Sequence, residues 1–179
     1  LVQEDLSVSF SRQMHGIFRD IPTRYTQPAT GKTRKILIAN IQVQGHPFRI
    51  EESRDTTRIR IGSPSEYVDG RQNYRISYTM NIGKDNIRDY DEFYMNLIGT
   101  EWDTLIKSAS FEVLFPKPFD TTMYNLTGGP RGSTDNSFFT HEVRGTAIRA
   151  ATTRVLEPHE GVTLRVELPE GYFVGARDI

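Results

Sequence analysis

The sequence predicts an all-β chain, an antiparallel β-sandwich that is Ig-like in broad architecture and holds at most one or two short helices. Three observations carry this expectation. Apolar and polar residues alternate with period two in several runs, Gly and Pro interrupt the chain between those runs, and helical periodicity is scarce. With 179 residues, 36% of them hydrophobic and 25% charged, the chain has enough material for one ordinary core, so residues 1–179 are expected to form a single sandwich.

The elements can be justified in chain order. Leu6, Val8 and Phe10 stand between serines, an alternation that gives a half-buried strand. Ile36 to Val43 is apolar at both parities, as expected of a central strand covered on two sides. Ile59 and Ile61 alternate with arginines. After the turn signal Asp69-Gly70, Tyr74, Ile76, Tyr78, Met80 and Ile82 alternate with polar residues in the longest period-two run. Trp102, Leu105 and Ile106 fall at i, i+3, i+4 behind Thr100, which predicts about two turns of helix over 100–107. Ala109, Phe111, Val113 and Phe115 form a strand that Pro116 stops. Thr121 to Asp135 lacks periodicity and reads as a long loop, with Gly128-Gly129-Pro130-Arg131-Gly132 as a mobile turn. Val162, Leu164, Val166 and Leu168 make the last strand before Pro169. About nine strand-like runs result, which suits an antiparallel sandwich.

Composition excludes several functions. Lys+Arg 22 against Asp+Glu 23 leaves a net charge of −1, without the basic excess that binding to nucleic-acid phosphates requires, so no nucleic-acid partner is expected. The absence of cysteine rules out disulfides, thiolate metal sites and a cysteine nucleophile, and leaves the compartment open. No apolar run approaches the roughly 18 residues of a membrane span. The start at Leu1 without a Met and the unmarked end at Ile179 suggest a piece of a longer protein. Residues 1–89 carry 14 basic and 10 acidic side chains and residues 90–179 carry 8 and 13, a split that reads as mutual attraction between interleaved strands of one sandwich.

Four features are candidates for chemistry. In His15-Gly16-Ile17-Phe18-Arg19-Asp20-Ile21-Pro22, Phe18 and Ile21 are candidate core plugs, while the adjacent Arg19 and Asp20 must point apart and find separate partners. This segment is either a recognition loop using His15, Arg19 and Asp20 or an internal staple in which Arg19 bonds carbonyls or a distant carboxylate. The acidic run at 85–92 offers Asp85, Asp89 and Asp91 as calcium ligands, but it lacks EF-hand spacing and contains Arg88, so an Asx-rich turn between strands competes with that reading. Asp91 and Glu92 are neighbours on a strand and cannot flank one glycosidic bond. Trp102, with Tyr94 and nearby aromatics, is either a sugar-stacking platform or a core tryptophan. The four histidines are isolated, and neither a nucleophile elbow nor a phosphate loop is present, so no cofactor, metal or catalytic residue is expected. Asn125-Leu126-Thr127 matches a glycosylation sequon of the kind that arises often by chance.

The segments HGIFRDIP at 15–22, YRISYTMNIG at 74–83, DYDEFYMNLIGTEWDTLI at 89–106 and FEVLFP at 111–116 together resemble the extracytoplasmic N-terminal domain of the YciQ-like predicted bacterial membrane proteins, a family of unknown function. The resemblance rests on Gly16, Arg19, Ile21 and Pro22, then Tyr74 and Tyr78, then Asp91, Glu92, Tyr94 and Asn96, then Gly99, Trp102 and Pro116. It departs from the family pattern at Met95, where tryptophan is frequent. What it implies is placement: a signal peptide, a β-rich domain outside the cytoplasmic membrane, transmembrane helices and a low-complexity tail, with no activity or cofactor attached. The expected role is therefore a non-enzymatic extracytoplasmic binding or scaffolding domain, attached to the membrane through segments outside this chain, with an envelope protein or glycan as partner. The alternatives are a carbohydrate-active enzyme or lectin-like module for envelope glycans, and a purely structural domain.

Overall fold

The computed structural model describes residues 1–27 and 30–175. They are all-β, and every strand pairing is antiparallel, as the alternation predicts. Where one sandwich was expected over 1–179, the chain folds as two compact units, one of Leu1–Lys84 and one beginning at Asp85. Each sheet draws its strands from one unit only, so opposite charges in the two halves do not come from interleaved strands.

The first unit contains β1 (Val2–Met14), β2 (Ile17–Pro22), β3 (Arg24–Thr26), β4 (Thr33–Lys35), β5 (Leu37–Gln44), β6 (Phe48–Glu52), β7 (Thr56–Ile61) and β8 (Val68–Asn81). They form the sheets β1-β8-β5 and β2-β7-β6 and the small hairpin β3-β4. Alternation decides which side chains turn inward: Tyr74, Ile76 and Tyr78 from one sheet and Ile21, Ile59 and Ile61 from the other share one core. The segment expected to be a central strand is the edge strand β5, paired only with β8. Its register shifts between Ala39 and Gln42, next to Asn40, whose φ of 54° marks a bulge.

 Ala39 pairs with Thr79 and Gln42 with Ser77, so the extra residue switches parity, and Ile38, Ile41 and Val43 all pack on the core from one side of the sheet. A bulge, not a second covering layer, explains the apolar residues at both parities.

Two charges interrupt the apolar inward positions of this unit. Glu4 lies on the inward face of β1 with Leu6 and Val8, and Arg19 on that of β2 with Ile17 and Ile21. Their side chains are 14% and 6% exposed and meet across the core in a forked pair: Arg19 Nε donates to Glu4 Oε2 at 2.7 Å and Nη2 to Oε1 at 2.8 Å. The Tyr78 hydroxyl donates to Glu4 Oε1 at 2.6 Å, and Arg19 Nη1 donates to the Asp20 carbonyl. Burial alone would raise the Glu4 carboxyl, but Arg19 and the two hydrogen-bond donors outweigh it and hold the group below its ordinary value of 4.5. Burial and the Glu4 charge push the Tyr78 phenol up.

The second unit contains β9 (Tyr90–Ile98), β10 (Ser110–Leu114), β11 (Tyr124–Gly129), β12 (Phe139–Arg144), β13 (Ala147–Thr152) and β14 (Gly161–Pro169). The sheets are β11-β14-β9 and β10-β13-β12. Val162, Leu164, Val166 and Leu168 of β14 share a core with Ile148 and Ala150 of β13. Burying each large aliphatic side chain stabilises the fold by about 1.5–3 kcal/mol.

Two expectations fail in this unit. No helix occurs among the described residues, and 100–107 is an irregular segment. Its backbone groups are taken by a neighbouring loop: Ile106 and Leu156 exchange two hydrogen bonds of 2.9 Å, and His159 N donates to the Trp102 carbonyl at 2.8 Å. Short helical propensity loses to this long-range pairing, which accompanies the burial of Leu156. The stretch 121–135 is not a continuous loop but holds β11. Its glycines hid the alternation, yet Gly128 is needed there, because a Cβ would lie 2.6 Å from Phe138 and 2.9 Å from Phe139.

Removing one partner of a buried ion pair leaves an uncompensated charge, so Arg19→Ala is expected to cost the first unit about 3–5 kcal/mol in urea unfolding at neutral pH. The pH dependence follows from the depressed Glu4 carboxyl. Its contribution is present above the ordinary value of 4.5 and is lost as pH falls through the lower folded value, because the unfolded chain then binds the extra proton. Glu4→Gln should flatten that acid limb of the stability curve.

Candidate functional site

The segment 15–22 begins where β1 turns into β2, and its geometry there is dictated by glycine. Gly16 and Gly62 lie back to back with φ of 127° and 121°; a Cβ at Gly16 would be 1.9 Å from the Ile61 carbonyl oxygen, and one at Gly62 would be 2.0 Å from that of His15. The motif glycine is therefore fixed by a close approach of two backbones.

Alternation then sorts the remaining motif residues. Ile17, Arg19 and Ile21 point inward, while Phe18 and Asp20 point outward. Ile21 is a core plug as expected, but Phe18 is 51% exposed. Arg19 and Asp20 do find separate partners: Arg19 takes Glu4, and Asp20 accepts from Arg58 Nε at 2.7 Å and Nη2 at 2.8 Å. The Arg58 hydrogen bonds hold the Asp20 carboxyl below its ordinary range. His15 is exposed, stacks on Tyr67 at 4.3 Å and donates from Nδ1 to the Glu66 carbonyl at 2.9 Å. The segment thus behaves as an internal staple at Arg19, with His15 displayed separately at the turn.

The outward face of β2-β7-β6 is ordered in cross-strand rows. Glu51, Arg58 and Asp20 form one row, and Arg49, Arg60 and Phe18 form the next. The first is acid, base, acid; the second is two guanidiniums and a phenyl ring. Arg58 lies over the Phe18 ring at 4.9 Å and Arg60 at 5.7 Å.

In the second unit the acidic run is spent on turns and strand contacts. Asp85 Oδ1 accepts from Ile87 N at 3.1 Å and Oδ2 from Glu92 N at 2.6 Å, the Asx-rich geometry the sequence offered. Asp91 Oδ2 accepts from Phe173 N at 2.8 Å, and Asp89 is exposed. Among the described residues no group of three or more His, Asp or Glu side chains is placed to hold a metal ion, so Asp85, Asp89 and Asp91 do not converge as calcium ligands.

Glu92 faces the opposite side of β9 from Asp91, and its side chain is fully buried against Arg165, whose Nε donates at 2.7 Å. Tyr94 stands opposite Arg165 in register, and burial together with the Glu92 charge pushes its phenol up. Trp102 is half-buried in the irregular segment after β9. The predicted residues are therefore not gathered into one cleft: Arg19 and Asp20 lie on opposite faces of β2, and Asp91 and Glu92 on opposite faces of β9.

Sequence reasoning missed Glu4, Tyr67, Arg49, Arg58, Arg60 and Arg165. Glu4 carried a signal, since it is a charge at the parity of Leu6, Val8 and Phe10, and such a residue needs a buried partner. The outward arginines carried none, because exposed charge on a strand is ordinary.

These features define a class: an all-β, antiparallel domain whose recurrent polar residues mostly fasten the chain to itself. The chain belongs to the family described as Predicted membrane protein (DUF2207) N-terminal domain, whose model matches residues 1–168. This agrees with the family placement drawn from the motifs. No curated protein and no solved structure matches the chain. No helix of the described residues is long and apolar enough to cross a membrane.

The glycine contact yields a direct test. Gly16→Ala forces a Cβ against backbone atoms in a conformation that L side chains rarely adopt, so it should lower stability by about 3 kcal/mol or more. The measurement is thermal unfolding beside Gly45→Ala, where a Cβ meets nothing within 4 Å and only the φ of 75° is strained. Equal losses in the two variants would contradict the steric reading.

Proposed function

We propose that this chain is a non-enzymatic binding or scaffolding domain, held on the extracytoplasmic face of the membrane by segments outside residues 1–179, with an envelope protein or glycan as its partner. Membership in a family of membrane-protein N-terminal domains supports attachment to a membrane. The observation that carries the binding reading is the fate of the motif residues. Arg19 is fastened to Glu4, Glu92 to Arg165, Asp20 to Arg58 and Asp91 to the Phe173 amide, so the groups best suited to acid–base chemistry instead hold strands in place. A surface so fixed presents side chains to a partner at little cost in ordering them.

Residues 1–179 contain no cysteine, so once any cysteine elsewhere in the full-length protein is replaced, a single introduced thiol is the one labelling site. Single cysteines replacing exposed Ser9 or Asn136 in the full-length membrane protein should react with a membrane-impermeant maleimide in intact cells. Labelling that appears only after permeabilisation contradicts the extracytoplasmic placement. Hydrolysis of cell-wall glycan or peptide by the purified chain, abolished by substituting an acid within 85–92, contradicts the non-enzymatic reading.

A further inference from the structure

On the outward face of β2-β7-β6, Arg49 and Arg60 are directly opposed across neighbouring strands. Like charges in that position destabilise a sheet. The other charged groups on this face are Arg58, Asp20 and Glu51, and they lie in the adjacent row. Asp20 is committed to Arg58 through two hydrogen bonds, and Glu51 stands opposite Arg58 in register. Neither Arg49 nor Arg60 has a carboxylate partner among the described residues, and both are exposed. The row thus holds two uncompensated guanidiniums beside Phe18, a large apolar ring that is half exposed.

We infer that the Arg49–Arg60–Phe18 row is a docking site for the anionic phospholipid headgroups of the bilayer that carries the full-length protein. Guanidinium groups offer paired N–H donors that match phosphate oxygens, and two of them flanking one position neutralise a phosphodiester that would also relieve their mutual repulsion. An exposed aromatic ring next to arginine suits the boundary between headgroup and acyl chain, where such side chains concentrate. A stacked sugar is the less favoured occupant, because both guanidiniums of Arg58 and Arg60 already lie over the Phe18 ring. The membrane is also the one partner that family membership places beside this chain. Attachment raises its effective concentration, so a weak contact suffices to orient the domain. The inference does not depend on which side of the bilayer the domain occupies, and it stands or falls separately from the proposed placement.

The test is co-sedimentation of the 179-residue chain with phosphatidylglycerol vesicles and with phosphatidylcholine vesicles at low ionic strength. Each uncompensated arginine adds roughly fivefold to partitioning on an anionic surface, so Arg49→Gln with Arg60→Gln should weaken binding to phosphatidylglycerol about twentyfold or more. Phe18→Ser should weaken it severalfold. Arg71→Gln, which removes an exposed charge from the other sheet of the unit, should change it less than Arg49→Gln does. Arg49→Glu separates binding from folding: it sets a carboxylate opposite Arg60, so the thermal midpoint should hold or rise while vesicle binding falls. Equal binding to phosphatidylcholine, no loss in the double variant, or an equal loss in Arg71→Gln would overturn the inference. Full competition by millimolar inorganic phosphate, or by a soluble acidic polysaccharide, would overturn it too, since either would show a soluble anion as the occupant.

Discussion

The ion pair between Glu4 and Arg19 is the constraint on which the first unit depends. Each residue sits at an inward strand position otherwise filled by apolar side chains, and the two come from different sheets. An isolated charge there would be prohibitively costly, so the sheets can pack only in an arrangement that brings the two groups together. Tyr78 adds a third bond from the central strand β8, and the Asp20 carbonyl fixes the remaining edge of the guanidinium. The arrangement selects one register among several that an all-apolar core would tolerate.

That constraint also explains the form of the segment 15–22. With Arg19 inward, alternation obliges Phe18 and Asp20 to face out, and the outward Asp20 recruits Arg58 from β7. One inward charge therefore organises the opposite face of the same sheet. The row beyond it, Arg49–Arg60–Phe18, is left without an acid. The second unit also buries a carboxylate against an arginine, Glu92 against Arg165, but there the two residues lie on neighbouring strands of one sheet. Arginine suits both places because its several donors lie in one fixed plane: Arg19 satisfies both oxygens of Glu4, and Arg165 binds Glu92 through Nε while Nη2 reaches Tyr90 and Glu167.

Much of this was legible in the sequence where side chains alternate cleanly. The runs 74–82 and 162–168 gave β8 and β14, and the adjacency of Arg19 and Asp20 gave their divergence. Elsewhere a local pattern was outweighed by something distant. The bulge at Asn40 made an edge strand look central, pairing with 156–159 took the backbone of a short helical pattern, and Gly128 concealed β11 because the site requires a residue without a Cβ. The division into two units was not legible, because composition measures how much core a chain can build and not how that core is partitioned. Candidate sites fared similarly: residue type marked Arg19 and Glu92 as special, but only their partners show that they fasten strands.

A double-mutant cycle on Glu4 and Arg19 tests the central claim most directly. Unfolding free energies of Glu4→Gln, Arg19→Met and the double variant should reveal a coupling of about 2 kcal/mol or more, with the double variant less destabilised than the two single losses added together. A coupling near zero would mean that the two charges do not stabilise each other across the core, and that the register of the first unit is set by apolar packing alone.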